Sequence, residues 1–177
     1  MKKILLAIFA TLFLSQSAFA VSKKILDLEI NETIEIFTKE AKGGADFLKK
    51  TNGYLVIPNL FKAGFVVGGE YGEGGMVIDN KIVEYYKVIS ASIGFQAGAQ
   101  KKSVIIAFLT PEALTDFRKK SKWEVGIDGS IVFVDWDHNI DLSTISFKKA
   151  IVAFAFNGEG LMAGISLDGS VFTKIEK

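Results

Sequence analysis

After residue 52 the chain consists largely of short apolar segments separated by glycine, and this pattern limits the folds that it can adopt. The segments are rich in Val, Ile, Phe and Tyr, residues that favour strands, and glycine or charged turns bound them. The predicted strands are 54–57, 63–69, 75–79, 82–90, 92–99, 103–109, 123–134, 146–156, 161–167 and 171–175. So many strands at short spacing predict a mostly antiparallel sheet, curled or closed on itself.

One gap in this series predicts a short helix near 111–120. Thr110 is a suitable N-cap and Pro111 suits the first helical position. The residues expected to face inward from this helix are Ala113, Leu114 and Phe117. With the helical segment described next, the predicted fold class is α+β and rich in β structure.

Residues 22–50 form a mainly helical pattern, in which apolar residues recur every three or four positions. The stripe consists of Leu26, Ile30, Ile34, Phe37, Ala41, Ala45 and Leu48. Asn31 is a candidate start of the helix, although alternating apolar residues also allow a short strand in the first half. The pair Gly43 and Gly44 should weaken the helix or break it in two.

The first twenty residues have the pattern of a secretory signal. Lys2 and Lys3 precede an apolar run over 4–14, and Ala18 and Ala20 form an A-x-A cleavage site. The run is shorter than the roughly 20 residues needed to cross a bilayer, which favours cleavage over an anchor. We therefore expect an exported, periplasmic or envelope-associated protein.

Cleavage would leave residues 21–177, a length typical of one domain. Within it we predict an amphipathic helical segment at 22–50 and a β-rich core at 53–177. No later run is apolar enough to span a membrane.

Composition excludes several classes of function. The chain has no cysteine and one histidine, His138, which argues against lipoprotein acylation, thiol catalysis and the usual zinc sites. Two of the 21 basic residues and none of the 20 acidic ones lie in the signal, so the mature chain has 19 basic and 20 acidic residues. Such balance argues against a nucleic-acid partner. We expect no enzymatic activity, no metal and no cofactor.

Three segments resemble functional motifs and depart from each in detail. Residues 68–75 are glycine-rich but carry two glutamates and no following Lys-Ser/Thr, so we predict a hairpin turn and not a nucleotide loop. Residues 135–141 place oxygen ligands at alternate positions, yet Ile140 stands where a calcium loop needs glycine, so a polar loop is predicted. In 164–169 the glycine spacing does not match a nucleophile elbow.

Basic clusters recur along the chain, and most such clusters are solvated turns and helix ends. They are Lys23-Lys24, Lys49-Lys50, Lys101-Lys102, Arg118-Lys119-Lys120 with Lys122, and Lys148-Lys149. If several share a face, each could contribute on the order of 1 kcal/mol on an anionic lipid surface. Exposed aromatic residues beside them would insert at the headgroup level, and the candidates are Phe61, Trp123 and Trp136.

Four segments in series resemble the SYLF family. Residues 53–72 match its opening motif of a glycine, an apolar run, Ile-Pro, Lys-Ala-Gly-Phe and Gly-Gly-x-x-Gly. Residues 92–100, 110–117 and 160–170 resemble its central glycine-glutamine strand, its short helix and its closing motif. The resemblance covers roughly residue 39 to the C-terminus.

The resemblance implies a compact β-rich domain that binds lipid and has no catalytic residues. Eukaryotic members bind phosphoinositides through an amphipathic helix before the first motif, and some yeast members engage actin. The matching segment here is 22–50, and the headgroup candidates that it supplies are Lys23, Lys24, Lys39, Lys42, Lys49 and Lys50. This segment departs from a dedicated membrane helix by its acidic residues, which argue against phosphoinositide specificity; they include Asp27, Glu29, Glu32, Glu35 and Glu40. We expect no actin role in an exported, bacterial member.

The functional prediction is a lipid-binding module that contacts anionic phospholipid through its N-terminal helix and basic turns. The alternative is a structural or protein-binding envelope module, in which the stripe of Leu26, Ile30, Ile34 and Phe37 packs on the sheet. Deleting residues 22–42 should unfold the protein if the stripe packs. An enzyme would instead need a deep pocket with paired carboxylates.

Overall fold

The computed structural model describes residues 21–64, 67–93, 98–134, 136, 140–143, 149–159, 167 and 169–177. Several predictions fall wholly or mostly outside these residues: the signal at 1–20, the loop at 135–141 with His138, Lys148, the strand at 161–167 and the segment 164–169. The first part of the strand predicted at 146–156 also lies outside them.

Two helices come from the N-terminal segment: α1, Lys23–Glu40, and α2, Gly44–Lys50. The predicted break is confirmed, because Gly43 has a φ of 76° and separates them. The prediction that α1 begins at Asn31 is wrong, as is the strand alternative. Its apolar stripe already starts at Leu26, which is buried, so core packing and not a cap sets the start of the helix.

Helix α3, Pro111–Lys119, begins as predicted. The Thr110 hydroxyl oxygen accepts a hydrogen bond from the Ala113 amide at 3.2 Å, and proline occupies the first turn. Leu114 and Phe117 are buried against the sheet.

The described strands form one eight-stranded sheet in the order β5-β8-β3-β2-β1-β4-β7-β6. Their bounds are β1 Gly53–Gly64, β2 Val67–Ile78, β3 Lys81–Ile93, β4 Gly98–Phe108, β5 Lys122–Glu124, β6 Val132–Val134, β7 Ile151–Glu159 and β8 Val171–Ile175. The β6–β7 pair is parallel and the others are antiparallel. The sheet is curled into a half-barrel, which confirms the predicted α+β fold class.

The prediction of a hairpin turn at 68–75 is wrong, because these residues lie inside β2 and pair with β1 and β3. Glycine is needed there for close approach and not for chain reversal. A Cβ on Gly74 would lie 2.2 Å from the Val56 carbonyl oxygen, at an irregularity in the pairing of β1. The turn between β2 and β3 is formed instead by Asp79 and Asn80, both with positive φ.

The single strand predicted at 123–134 is also wrong. It is divided into β5 and β6, which lie at opposite ends of the sheet. Gly126 has a φ of 92° and turns the chain after β5, and a Cβ on Gly129 would meet the Trp123 ring at 2.7 Å.

The two faces of the sheet carry separate apolar clusters, because alternate residues of a strand point to opposite sides. On the helix face, β1 contributes Tyr54 and Val56 to a cluster with α1 and α2. On the α3 face, it contributes Leu55 and Ile57 to a cluster with α3.

The apolar stripe of α1 packs on the sheet. Leu26, Ile30 and Phe37 are fully buried, and the Phe37 ring contacts Phe154 at a centroid distance of 5.3 Å. A Cβ on Gly75 would lie 2.7 Å from the Ile30 side chain, so the helix needs glycine beneath it. The packing assumed in the structural alternative is therefore present.

Within the part of the chain that the structure describes, no helix combines the length and the apolar character needed to cross a membrane.

Candidate functional site

Strands β1 to β4 are twice the usual length, and the helices cover only half of them. We call residues 59–64, 67–73, 88–93 and 98–103 of these strands the distal half, and the remainder the proximal half. The residues of the four strands that pack under α1 and α2 are all proximal: Tyr54, Val56, Val77, Tyr85, Ile105 and Ala107. The distal half therefore has a helix face without this helical cover.

Four residues form a row across the helix face of the distal half. Phe61 on β1 pairs with Lys101 on β4 and Tyr71 on β2, and Tyr71 pairs with Ile89 on β3. We call these four residues the distal row. Since neighbouring strands lie about 4.8 Å apart, the row extends over about 14 Å. Phe61 is 51% and Ile89 46% exposed, so a row with apolar side chains and a terminal lysine faces outward.

The next row towards the tip consists of small residues. In register they are Ala99, Ala63, Gly69 and Ala91. Their side chains are too short to hide the distal row, so Phe61 and Ile89 project beyond their surroundings. Exposed apolar surface of this kind marks an interaction site when it is contiguous.

The Tyr71 hydroxyl donates a hydrogen bond to Glu73 Oε1 at 2.9 Å. Burial and this bond raise the pKa of Tyr71 to about 12. The tyrosine therefore stays neutral at physiological pH, and the distal row carries a single charge, that of Lys101.

The α3 face of the distal half carries buried charges instead. Lys62 Nζ lies 3.4 Å and Lys102 Nζ 4.0 Å from Glu70 Oε1. The side chains of Glu70 and Lys102 are only 3% and 4% exposed. Neither Glu70 Oε2 nor Lys102 Nζ has a hydrogen-bond partner among the residues that the structure describes. Two ammonium groups thus face one carboxylate, which leaves an excess positive charge.

Burial lowers the pKa of Lys102, an effect that Glu70 opposes and Lys62 reinforces. Glu70 and Lys102 are both buried, so this excess positive charge lies within the protein and not on its surface.

A polar cleft of about 440 Å³ separates α1 from the distal half. Its lining includes Glu29 and Glu32 from the helix and Lys101 from β4. Asn157, which has a positive φ of 53°, also lines it. Lys101 thus contributes both to this cleft and to the distal row.

The predicted lysines on the N-terminal helices lie on the helix face, and several are already paired. Lys23 binds Asp27 at 2.6 Å, Lys39 binds Glu35 at 2.6 Å, and Lys42 binds Asp141 at 2.7 Å. Lys49 lies 3.5 Å from Asp46. Lys24 and Lys50 are exposed and make no ion pair with the described residues.

The basic residues at the end of α3 lie on the other side of the sheet. Arg118 donates two hydrogen bonds to Glu84, each 3.0 Å long, and Lys120 pairs with Asp128. Lys119 is exposed without an ion pair to the described residues. The predicted basic set therefore does not converge on one surface.

Of the three aromatic residues proposed to insert into a membrane, Phe61 is exposed. Trp123 is buried against Phe117 and Phe172 on the α3 face, so that proposal is wrong for it. Trp136 is half-buried and stacks on Phe156 at 4.8 Å. Lys102, predicted as a headgroup contact, is buried beside Glu70 and does not project from the surface.

The described residues contain no cluster of three or more His, Cys, Asp or Glu side chains suited to a metal ion. Among the described residues, the buried polar side chains of the distal half are Glu70, Glu73, Lys102 and Ser103, and the Ser103 hydroxyl donates to the Pro58 carbonyl oxygen at 2.9 Å.

Residues 89–177 match the Ysc84 family, described as Las17-binding protein actin regulator. The chain belongs to this family. The match confirms the resemblance to the SYLF domain that the motifs indicated. A comparison with curated proteins finds no match.

The Ysc84 match begins at Ile89, which is itself in the distal row. Strands β3 and β4 are separated in the sheet by β2 and β1, both N-terminal to the matched region. The matched segment therefore includes only the last five residues of β3, and the two strands that join β3 to β4 in the sheet lie before it.

Sequence reasoning found Phe61 and Lys101 separately but not their pairing, and it missed Tyr71, Ile89 and Glu70. The four positions of the row come from four strands, and only the register brings them together. An available signal was the repeated pattern of a large or charged residue two positions from alanine or glycine in each of these segments.

Proposed function

We propose that this Ysc84-family protein is an exported, non-enzymatic module of the cell envelope that binds anionic phospholipid surfaces through the distal half of its sheet. The observation that carries the proposal is the distal row, in which Phe61, Tyr71 and Ile89 form an outward apolar strip that ends in Lys101. Aromatic and aliphatic side chains bind at the headgroup boundary, and a neighbouring lysine binds phosphate.

One feature of the distal half suits a membrane better than a protein partner. The row lies on a sheet face flanked by small residues, so a broad surface can contact Phe61 and Ile89 together. The association of SYLF domains with lipid binding supports the same choice.

The N-terminal helix is less suited to this role than the sequence predicted. Its apolar stripe faces the core, and Lys23 and Lys39 are paired with carboxylates on the same helix. Its exposed apolar residues are Ile25 and Leu28. We assign it the task of covering the proximal half.

Vesicle co-sedimentation of the mature protein tests the proposal. We expect binding to phosphatidylglycerol-containing vesicles, weaker binding to pure phosphatidylcholine, and loss of binding at high salt, since the lysine contribution is screened. Absence of binding to anionic vesicles at low salt would defeat the proposal and favour the structural or protein-binding alternative.

A matched pair of double variants locates the surface. Phe61→Ser with Ile89→Ser removes the apolar part of the distal row, whereas Val83→Ser with Ile127→Ser removes two exposed apolar side chains elsewhere. We expect the first pair to lose vesicle binding and the second to retain it. Equal binding by both variants would show that the distal row is not the contact surface.

Two further experiments distinguish this proposal from lipid binding through the helix and from actin binding. Lys23→Gln with Lys24→Gln tests the helix-based contact, and we expect little change in vesicle binding. Co-sedimentation with filamentous actin tests the activity named in the family description, and we expect no binding.

A further inference from the structure

The residue that follows the predicted cleavage site is held in place at three points. The Val21 amide donates a hydrogen bond to Glu73 Oε2 at 3.2 Å. The Val21 carbonyl oxygen accepts one from Lys177 Nζ at 2.6 Å. The Val21 side chain is partly buried and packs against the cluster under α1.

Glu73 is a buried carboxylate on the helix face of β2. Its side chain is 6% exposed, and that of Lys177 is 8% exposed. Oε1 accepts the Tyr71 hydroxyl, and Oε2 accepts both Lys177 Nζ at 2.7 Å and the Val21 nitrogen. A buried carboxylate is stable only when its lone pairs are satisfied, and charged donors satisfy them better than neutral ones.

Cleavage changes the donor at Val21. Hydrolysis breaks the amide bond between Ala20 and Val21 with one water molecule, leaving a carboxylate on Ala20 and a protonated amine on Val21. The nitrogen that lies 3.2 Å from Glu73 Oε2 would then carry a positive charge and two further protons. A neutral hydrogen bond becomes a charge-assisted one without any movement of the chain.

We propose that Glu73 is the binding site for the α-ammonium group that signal peptidase creates at Val21. Processing then completes an ion cluster of Val21, Glu73 and Lys177, which fixes the start of α1 to β2 and to the segment after β8. The inference is independent of lipid binding and rests on the cleavage site predicted after Ala20.

An ammonium group held by Glu73 makes the stability of the protein depend on pH. An α-amine ordinarily has a pKa of about 7.7–8.0, and a carboxylate in contact raises it. Because the pKa is raised in the folded state, the stabilisation is fully present below about pH 7.7 and is lost as the pH rises through the folded-state value.

Other titratable groups near Glu73 also affect the pKa of the α-amine. They are Tyr71 on its own strand, Lys87 in register on β3, Lys177, and the Lys23–Asp27–Tyr85 cluster one row away. Tyr71, with a pKa of about 12, stays protonated throughout the range of interest.

The experiment uses the precursor expressed with its own signal and the product recovered from the cell envelope. We expect the intact mass to place the amino terminus at Val21, and a terminus elsewhere would overturn the proposal. Competitive acetylation of the α-amine between about pH 6 and pH 10 then measures its pKa, which we expect to lie at least about one unit above the ordinary value. An ordinary value in the wild-type protein would equally overturn it.

Two variants test the role of Glu73. Glu73→Gln should return the α-amine to the ordinary pKa, whereas Glu32→Gln, an exposed glutamate on α1, should leave it raised. If Glu73→Gln does not fold, a mature protein that retains Ala20 keeps every side chain but moves the amine one residue away. We expect an ordinary pKa in that extended protein, and an equally raised pKa would contradict the assignment to Glu73.

Discussion

The proximal and distal halves of the same four strands are built for different tasks. In the proximal half, residues such as Leu55, Val56 and Ile105 are fully buried between two layers of side chains. In the distal half, Phe61 and Ile89 are about half exposed on one face, and Glu70 and Lys102 are buried on the other. Buried apolar area stabilises a fold by about 25 cal/mol per Å², whereas buried charges reduce that gain.

This difference shows that the stability of the fold alone does not explain why β1 to β4 extend beyond the helices. A shorter β1 to β4 would keep both apolar clusters, because the helix contacts and most of the α3 contacts are proximal. The distal extension instead carries exposed apolar side chains and an incompletely satisfied ion cluster. Exposed apolar side chains are costly unless a partner covers them, which is why we place binding on this face of the distal half.

The largest effect that tests this division is expected from paired phenylalanine truncations. Phe37→Ala removes a fully buried ring that contacts Trp136, Phe154 and Phe156, and should lower the free energy of unfolding by about 3–5 kcal/mol. Phe61→Ala, the same substitution in the distal half, should change it by less than about 0.5 kcal/mol. Urea unfolding measures both, and similar losses in the two variants would break the comparison.

The second effect concerns the glycines that let β1 and α1 approach β2. Gly74→Ala would place a methyl group 2.2 Å from the Val56 carbonyl oxygen, a contact that backbone must relieve. We expect a loss of about 1–3 kcal/mol in thermal or urea unfolding. Gly158→Ala is the control, because a Cβ there meets nothing within 4 Å. A neutral Gly74→Ala would mean that the irregularity in β1 adapts.

The third effect depends on Glu84, a carboxylate in the proximal half. Both of its oxygens accept hydrogen bonds, whereas Glu70 Oε2 in the distal half accepts none from the described residues. Burial would raise the pKa of Glu84, but hydrogen bonds from Arg118, Lys174 and Tyr86 outweigh it and hold the pKa at about 2. The folded-state pKa is depressed below the ordinary value of about 4.3, so the stabilisation is present above pH 4.3 and is lost as the pH falls towards 2.

Glu84→Gln should therefore reduce stability at neutral pH by about 1–2 kcal/mol, a value discounted because Arg118 and Lys174 are partly exposed. The variant should also lose less further stability between pH 5 and pH 2 than the wild-type protein does. Unfolding at several pH values measures both quantities, with Glu32→Gln as the exposed control. Identical acid profiles would show that Glu84 does not hold α3 to the sheet electrostatically.

The sequence predicted elements with local signals better than elements whose shape depends on contacts with distant segments. Period and capping are local, so the stripe of α1 and the Thr110 cap could be recognised directly. The glycine-rich segment 68–75 was wrongly predicted as a turn because its glycines are required by contacts with distant residues. Val56 lies against Gly74, and Ile30 lies against Gly75. Likewise, the division of 123–134 depends on the Trp123 ring, which lies over Gly129.

The candidate site was predictable only in its residue types. Phe61 and Lys101 were identified as candidate membrane contacts, but their adjacency depends on the register of β1 with β4. The burial of Lys102 depends on the face it occupies, and a shift of one residue would have reversed it. The pairing of β1 with β4 shifts between Ile57 and Leu60, and this shift changes which later residues face each side of the sheet. The sequence of one chain does not reveal where such a shift occurs.

A single charge also distinguishes the two halves, with a smaller expected effect. Lys101→Gln removes the positive end of the distal row and should weaken binding to anionic vesicles about five-fold, since one lysine contributes about 1 kcal/mol near such a surface. Lys50→Gln is the matched control, an exposed lysine at the end of α2 in the region that covers the proximal half. Its binding should change less than about two-fold, and the difference between the two variants should shrink as salt shortens the screening length to about 8 Å or less. If Lys50→Gln weakened binding as much as Lys101→Gln, the lipid contact would extend over the helix face, and the distal half would lose its special role.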